Sequence, residues 1–96
     1  MEFELEGPVV EWRGPAPFYF LQVSHEDSED LKEAAKGVEY WGQVPVLVRL
    51  GDVEFRTALF PREGRYLVPL KVAVRRAAGV EPGQTVRLRL DVVRSA

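Results

Sequence analysis

The sequence predicts a mainly β fold: a small, closed or partly open β-barrel of about six strands with two short helices. Three observations predict it. Residues 43–60 read as two alternating strands joined by a two-residue turn, Gly51-Asp52. Residues 2–6 and 85–93 also alternate apolar and polar side chains, the period of a half-buried strand. Two short segments, 25–36 and 70–78, carry apolar residues at helical spacing, and each lies between strands. Ninety-six residues suit one domain, spanning 1–96, with one modest core.

The first strand places Phe3 and Leu5 on one face and Glu2, Glu4 and Glu6 on the other. Gly7 and Pro8 are expected to interrupt it. Val9 and Val10 lead to Trp12, and Gly14, Pro15 and Pro17 break the chain again. Residues 18–23, FYFLQV, are apolar on both faces and read as a central strand covered on both sides. Ser24 then suits a helix N-cap, with Asp27 three residues on. Glu26, Asp27, Glu29 and Asp30 crowd the first turns, where the helix dipole favours negative charge. Leu31, Ala34, Ala35 and Val38 form one buried stripe, and Lys36 and Gly37 close the helix.

The Gly51-Asp52 turn, with glycine first, suits type II′. It implies a register pairing Leu50 with Val53, Val48 with Phe55, Val46 with Thr57 and Val44 with Leu59. The other face then sets Arg49 against Glu54, and a slip by one residue would destroy both the apolar face and that pair. Residues 61–65, PREGR, read as a turn before a short strand from Tyr66 to Val68. Pro69 suits the first turn of the second helix, with Leu70, Ala73, Val74 and Ala77 inward and Lys71, Arg75 and Arg76 outward. Gly79 ends that helix, Val80 follows as its apolar contact, and Pro82-Gly83 suits a type II turn. The last strand alternates Val86, Leu88, Leu90 and Val92 with Arg87, Arg89 and Asp91. FYFLQVSHEDSEDLKEAAKG and RYLVPLKVAVRRAAG both read strand, cap, helix, glycine, a weak repeat that suits a pseudo-two-fold barrel.

Composition removes several functions. There is no cysteine, so disulfides, thiolate metal sites and cysteine nucleophiles are excluded. One histidine excludes a multi-histidine metal site within one chain. No apolar run approaches a membrane span, and MEFELEG is not a signal peptide, so a cytoplasmic protein without membrane contact is expected. The net charge of −2 is unevenly placed: acidic side chains dominate residues 1–48 and basic ones residues 49–76. The plain expectation is that acidic and basic strands pair within one barrel.

No arrangement of residues points to catalysis. His25 is expected to be a solvated surface side chain, and Glu26 to Asp30 a solvated face. No phosphate-binding GxxxxGK loop exists, and Thr57 reads as a core hydroxyl beside Phe55 and Leu59. No enzyme activity and no cofactor are expected. The candidate site is a hypothetical anion patch of Arg56, Lys71 and Arg75, flanked by Tyr40, Trp41, Phe60 and Tyr66. The competing reading pairs Arg56 or Arg75 with a carboxylate inside the fold. Trp12, Trp41 and Phe60 are expected in the core. The partners in view are a small anion, nucleic acid or a protein. A protein partner would seek an exposed apolar patch around Trp12, Val9 and Val10.

The run GDVEFRTALFPREGRYLVPLKVAVRRAAGVEPGQTVRLRL resembles domain-of-unknown-function family 1905. The matching positions are Arg56, Thr57, Leu59, Tyr66, Pro69, Lys71, Arg75 and Gly83, with Phe3, Phe20 and Gly42 as further shared features. Ala58 stands where the family has serine, and Gln84 where it has an acidic residue. The resemblance implies a small β-barrel with two helices and no particular activity. YLVPLKVAVRRAAGVEPGQTVRLRL also resembles the strand–Pro–helix–Gly–strand unit of AbrB/MazE-type swapped-hairpin proteins, which bind DNA as dimers. Two such units in one chain could close a barrel without a partner, and fold does not carry function. A non-catalytic binding module is therefore the first expectation and an AbrB-like DNA-binding regulator the second.

Overall fold

Alternation of apolar and polar side chains carries β1 (Glu2–Trp12) through Gly7 and Pro8 without the expected interruption. A computed structural model of the chain describes residues 2–13 and 18–94. The break expected at Gly14, Pro15 and Pro17 lies outside the described residues. The first part of β1 pairs with β6 (Thr85–Val92), from Glu2↔Asp91 to Pro8↔Thr85. Its last part pairs with β2 (Phe18–Gln22), from Val9↔Leu21 to Trp12↔Phe18. Pro8 sits where β1 changes partner, so its missing N–H falls at the join of two ladders.

The central hairpin joins β3 (Val44–Leu50) to β4 (Val53–Arg62), and every expected pair is present, from Val44↔Leu59 to Leu50↔Val53. Of the two turn residues only Gly51 has a positive φ, 59°, as a type II′ turn requires. Arg49 Nε donates to Glu54 Oε2 at 3.1 Å across the strands. The next turn is shorter than expected. β4 and β5 (Arg65–Pro69) stay paired to Arg62↔Arg65, leaving only Glu63-Gly64 between them. Both turn residues have positive φ, 53° and 79°, the type I′ geometry whose twist matches that of the strands.

The first helix, α1 (His25–Ala34), begins where its cap predicts: Asp27 N–H donates to Ser24 Oγ at 3.1 Å. Leu31 and Ala35 are fully buried. Ser28 is buried with them because its Oγ accepts the Tyr66 N–H at 3.0 Å. The second helix, α2 (Val72–Ala78), starts later than Pro69 suggested, since Pro69 is the last residue of β5 and Lys71 is the N-cap. That offset turns the helix. Val74 and Ala78 pack on the core, whereas Ala73 and Ala77 are exposed. Among the described residues no helix is long and apolar enough to cross a membrane.

The strands close into a barrel in the order β1-β2-β5-β4-β3-β6. Exchanging β1, β2, β3 with β4, β5, β6 leaves every neighbour unchanged. The register obeys the same exchange about the pair Leu21↔Val68: Phe20↔Pro69 maps onto Gln22↔Leu67. Val23 N–H donates to Tyr66 O at 3.0 Å, and its counterpart Leu70 N–H donates to Tyr19 O at 2.9 Å. Ser24 and Lys71 are the matching N-caps. The weak repeat in the sequence is thus a pseudo-dyad in the fold. Leu5, Val9, Leu21, Val46, Val48, Leu59, Val68, Leu88 and Leu90 fill the interior. On the outside, Glu4 and Glu6 of β1 lie opposite Arg89 and Arg87 of β6, and Arg87 reaches Glu6 at 2.9 Å. The uneven charge of the chain thereby becomes cross-strand pairing, which favours this register over a slipped one.

Candidate functional site

Phe20 and Leu67 belong to strands whose alternate residues, Leu21 and Val68, fill the barrel. They therefore point outward, yet they are only 5% and 4% exposed. Aromatic rings cover them. Trp12 lies 6.2 Å from Phe20, Phe60 meets it edge-on at 5.0 Å, and Phe18 stacks beside it at 6.3 Å. A second apolar cluster thus sits on the outer face of β2 and β5, astride the pseudo-dyad. Against it lies a recess of about 480 Å³, bordered by Trp12, Phe20, Gln22, His25, Arg62 and Arg65 among others.

Trp12 ends β1 and Arg62 ends β4, so the two are dyad mates. They meet over the groove, with the Arg62 guanidinium carbon 3.8 Å from the centre of the Trp12 ring. Arg62 and Arg65 stand directly opposite on β4 and β5, a repulsive pairing. They separate by taking different partners. Arg65 Nε donates to His25 Nε2 at 3.0 Å, and His25 Nδ1 lies 3.3 Å from Gly64 O. Both contacts are hydrogen bonds when Nδ1 carries the ring proton. His25 is exposed, as expected, and in that position it also supports Arg65. Two guanidinium forks beside aromatic faces suit a carboxylate or phosphate carried on a planar body. Among the described residues no group of His, Asp or Glu side chains could hold a metal ion.

A family model described as a domain of unknown function, DUF1905, matches residues 6–90. The chain belongs to the DUF1905 family. The match takes in all of the strands and both helices apart from the first residues of β1 and the last of β6. No curated protein matches this DUF1905 chain.

The residues singled out in the sequence are dispersed in the DUF1905 barrel. Lys71 and Arg75 border a second recess of about 270 Å³ with Phe18, Phe20 and Val72. Arg56 does not line it; it lies on β4 opposite Leu47, on the outer face of the β3–β4 hairpin. Arg75 stacks on the Tyr19 ring at 3.7 Å and its Nε donates to Leu70 O at 3.1 Å, so it secures α2 chiefly through a ring and a carbonyl, with the Glu11 carboxylate that Tyr19 holds also in its field. Tyr40 and Trp41 stand apart from both recesses, at a tight turn closed by the Tyr40↔Gln43 pair. Tyr66 faces the core, where burial raises its phenol above the ordinary value. Phe60 belongs to the outer aromatic cluster. The core expectation fails for Trp12 and Trp41, which are 45% and 86% exposed, and for half-buried Phe60. It fails because these rings project from outward positions or from a turn. The apolar patch expected around Trp12 also loses Val9, which is in the core. Arg62, Arg65 and Phe18 were missed as site residues. The repeat held the signal, since it aligns Phe18 with Arg65, both outward.

At the far edge of the groove, Tyr19 OH donates to Glu11 Oε2 at 2.7 Å. This bond is the main reason that the Glu11 carboxyl is held below its ordinary 4.5 and the Tyr19 phenol above its ordinary 10.0. The lowered carboxyl stabilises the fold above pH 4.5 and loses that effect as pH falls through its folded value. The raised phenol stabilises it below pH 10.0 and loses that effect as pH rises through its folded value. Tyr19→Phe should therefore lower the thermal midpoint most between pH 4.5 and 10.0, with the difference shrinking on either side. Melting curves across the pH range check this; a difference independent of pH would mean that the hydroxyl acts through packing alone.

Proposed function

We propose that this DUF1905 domain is a non-catalytic binding module whose ligand surface is the outer groove over β2 and β5. It accepts an anionic group carried on a planar or apolar body. The observation that carries this reading is the meeting of the dyad mates Trp12 and Arg62 over the buried pair Phe20 and Leu67. The first half supplies Trp12, Phe18 and Phe20, and the second supplies Phe60 with the guanidinium groups of Arg62 and Arg65. A recess of this size lies within the range of ligand sites. The non-catalytic part is supported by His25, whose two ring nitrogens make structural contacts with Arg65 and Gly64.

The test is an amide and side-chain NMR titration with benzoate and with inorganic phosphate. Expected shifts centre on the Trp12 indole and on the Arg62 and Arg65 Nε–H groups, and they disappear in Arg62→Ala/Arg65→Ala. Shifts that are absent at millimolar probe, or that fall on Arg56 instead, would move the site elsewhere. An AbrB-like regulator of duplex DNA is the second reading. It is favoured by the two strand–helix–strand units, β2–α1–β3 and β5–α2–β6, related by the pseudo-dyad.

A further inference from the structure

We infer that the anion is the backbone of a single-stranded nucleic acid whose bases stack on Trp12 and Phe18; this rests on the binding reading above. Phe20 lines both recesses, so they adjoin at this ring, with His25 and Arg65 bordering one and Lys71 and Arg75 the other. Along the groove two rings are part-exposed, Trp12 at 45% and Phe18 at 60%, each with a neighbour on one side, Arg62 over Trp12 and Phe20 beside Phe18. Cations flank them on both sides, Arg62 and Arg65 toward α1 and Lys71 and Arg75 toward α2. Rings alternating with cations match a polymer in which bases alternate with phosphates.

A linear ligand fits better than a single small anion, because the two recesses meet at one shared ring. Sheet aromatics of this kind stack about two or three bases. A single strand fits better than a duplex, because bases inside a duplex have no free faces to offer Trp12 and Phe18. An acidic peptide would satisfy the cations and leave the exposed rings without a flat partner. The net charge of −2 does not oppose the inference. Most acidic side chains gather in α1 and on β1 opposite the arginines of β6; of the two that line the first recess, Glu11 is held by Tyr19 and Arg13, and Glu63 sits in the β4–β5 turn between Arg62 and Arg65.

The experiment is fluorescence anisotropy of a labelled oligothymidylate of about twelve nucleotides, against a duplex of equal length and with polyphosphate as competitor. Wild type should bind the single strand at least about tenfold more tightly than the duplex. Phe18→Ala should weaken binding by about tenfold, with an unchanged circular dichroism spectrum because the ring is exposed. Lys71→Ala should weaken it and lower the salt slope by about 0.7. No single-strand binding at low salt overturns the inference. So does equal binding to strand, duplex and polyphosphate that ignores Phe18→Ala, since charge alone would then account for it. If benzoate and phosphate still shift Trp12 while the oligonucleotide stays free, the inference falls and the groove remains a site for another anion. If neither probe registers, both readings fall.

Discussion

Gly7→Ala is expected to destabilise the barrel by about 3 kcal/mol, the upper end for overpacking in a close-packed interior. In a domain of this size that lowers the thermal midpoint by roughly 15 °C. A Cβ at Gly7 would lie 2.1 Å from the Gln22 carbonyl oxygen, 3.2 Å from its carbon and 3.3 Å from Leu21 Cδ2. The nearest obstacle is backbone, so no rotamer change relieves it. β1 passes here from its β6 partner to its β2 partner, and β2 comes close enough to occupy the place of a side chain. The requirement belongs to one half only. Gly7 pairs with Val86, and the dyad mate of that pair is Thr57↔Val46, where β4 carries a side chain. Thermal melts of Gly7→Ala and Thr57→Ala check this. If Gly7→Ala melts with wild type, the close approach of β1 and β2 does not exist in solution.

Leu31→Ala should cost about 3 kcal/mol through lost transfer energy and the cavity left behind. Leu31 is completely buried, on the helix that closes one end of the barrel beside Tyr66. Its dyad mate is Ala78, so the α1 end depends on one large side chain where the α2 end uses a small one with Val74 and Leu70. Asp30→Ala, one position away and exposed, should change stability by less than about 0.5 kcal/mol. Urea unfolding of the two variants checks the contrast, and a Leu31→Ala midpoint equal to that of Asp30→Ala would mean that α1 is not docked as described. Trp12 lies outside this contact, so its response to benzoate should survive in Leu31→Ala.

Much of the fold was legible because it rests on local rules. The β3–β4 register followed from the coincidence of an apolar face and one opposite-charge pair about a two-residue turn. The Ser24 cap and the left-handed Gly79 at the end of α2 are likewise consequences of a few neighbouring residues. Strand continuity was less legible. Gly7-Pro8 and the Pro61-to-Arg65 run look like breaks in any window, and only pairing with distant strands keeps β1 and β4 extended. Pro69 shows the same effect: it suits a helix start, but β2 captures it as the last residue of β5.

By itself, the sequence determined the fold class, the two helices, the hairpin register and the repeat, because period, capping and turn chemistry act within a few residues. It also placed the charges so that β1 and β6 attract. Only the tertiary structure decided the groove. Trp12 and Arg62, or Arg65 and His25, become neighbours through closure of the barrel and not through any local preference. An outward aromatic on a strand has the same local signature as one facing the core. Which side is inside is a property of the closed sheet, where Leu21 and Val68 meet at the dyad and leave Phe20 and Leu67 to be covered from without.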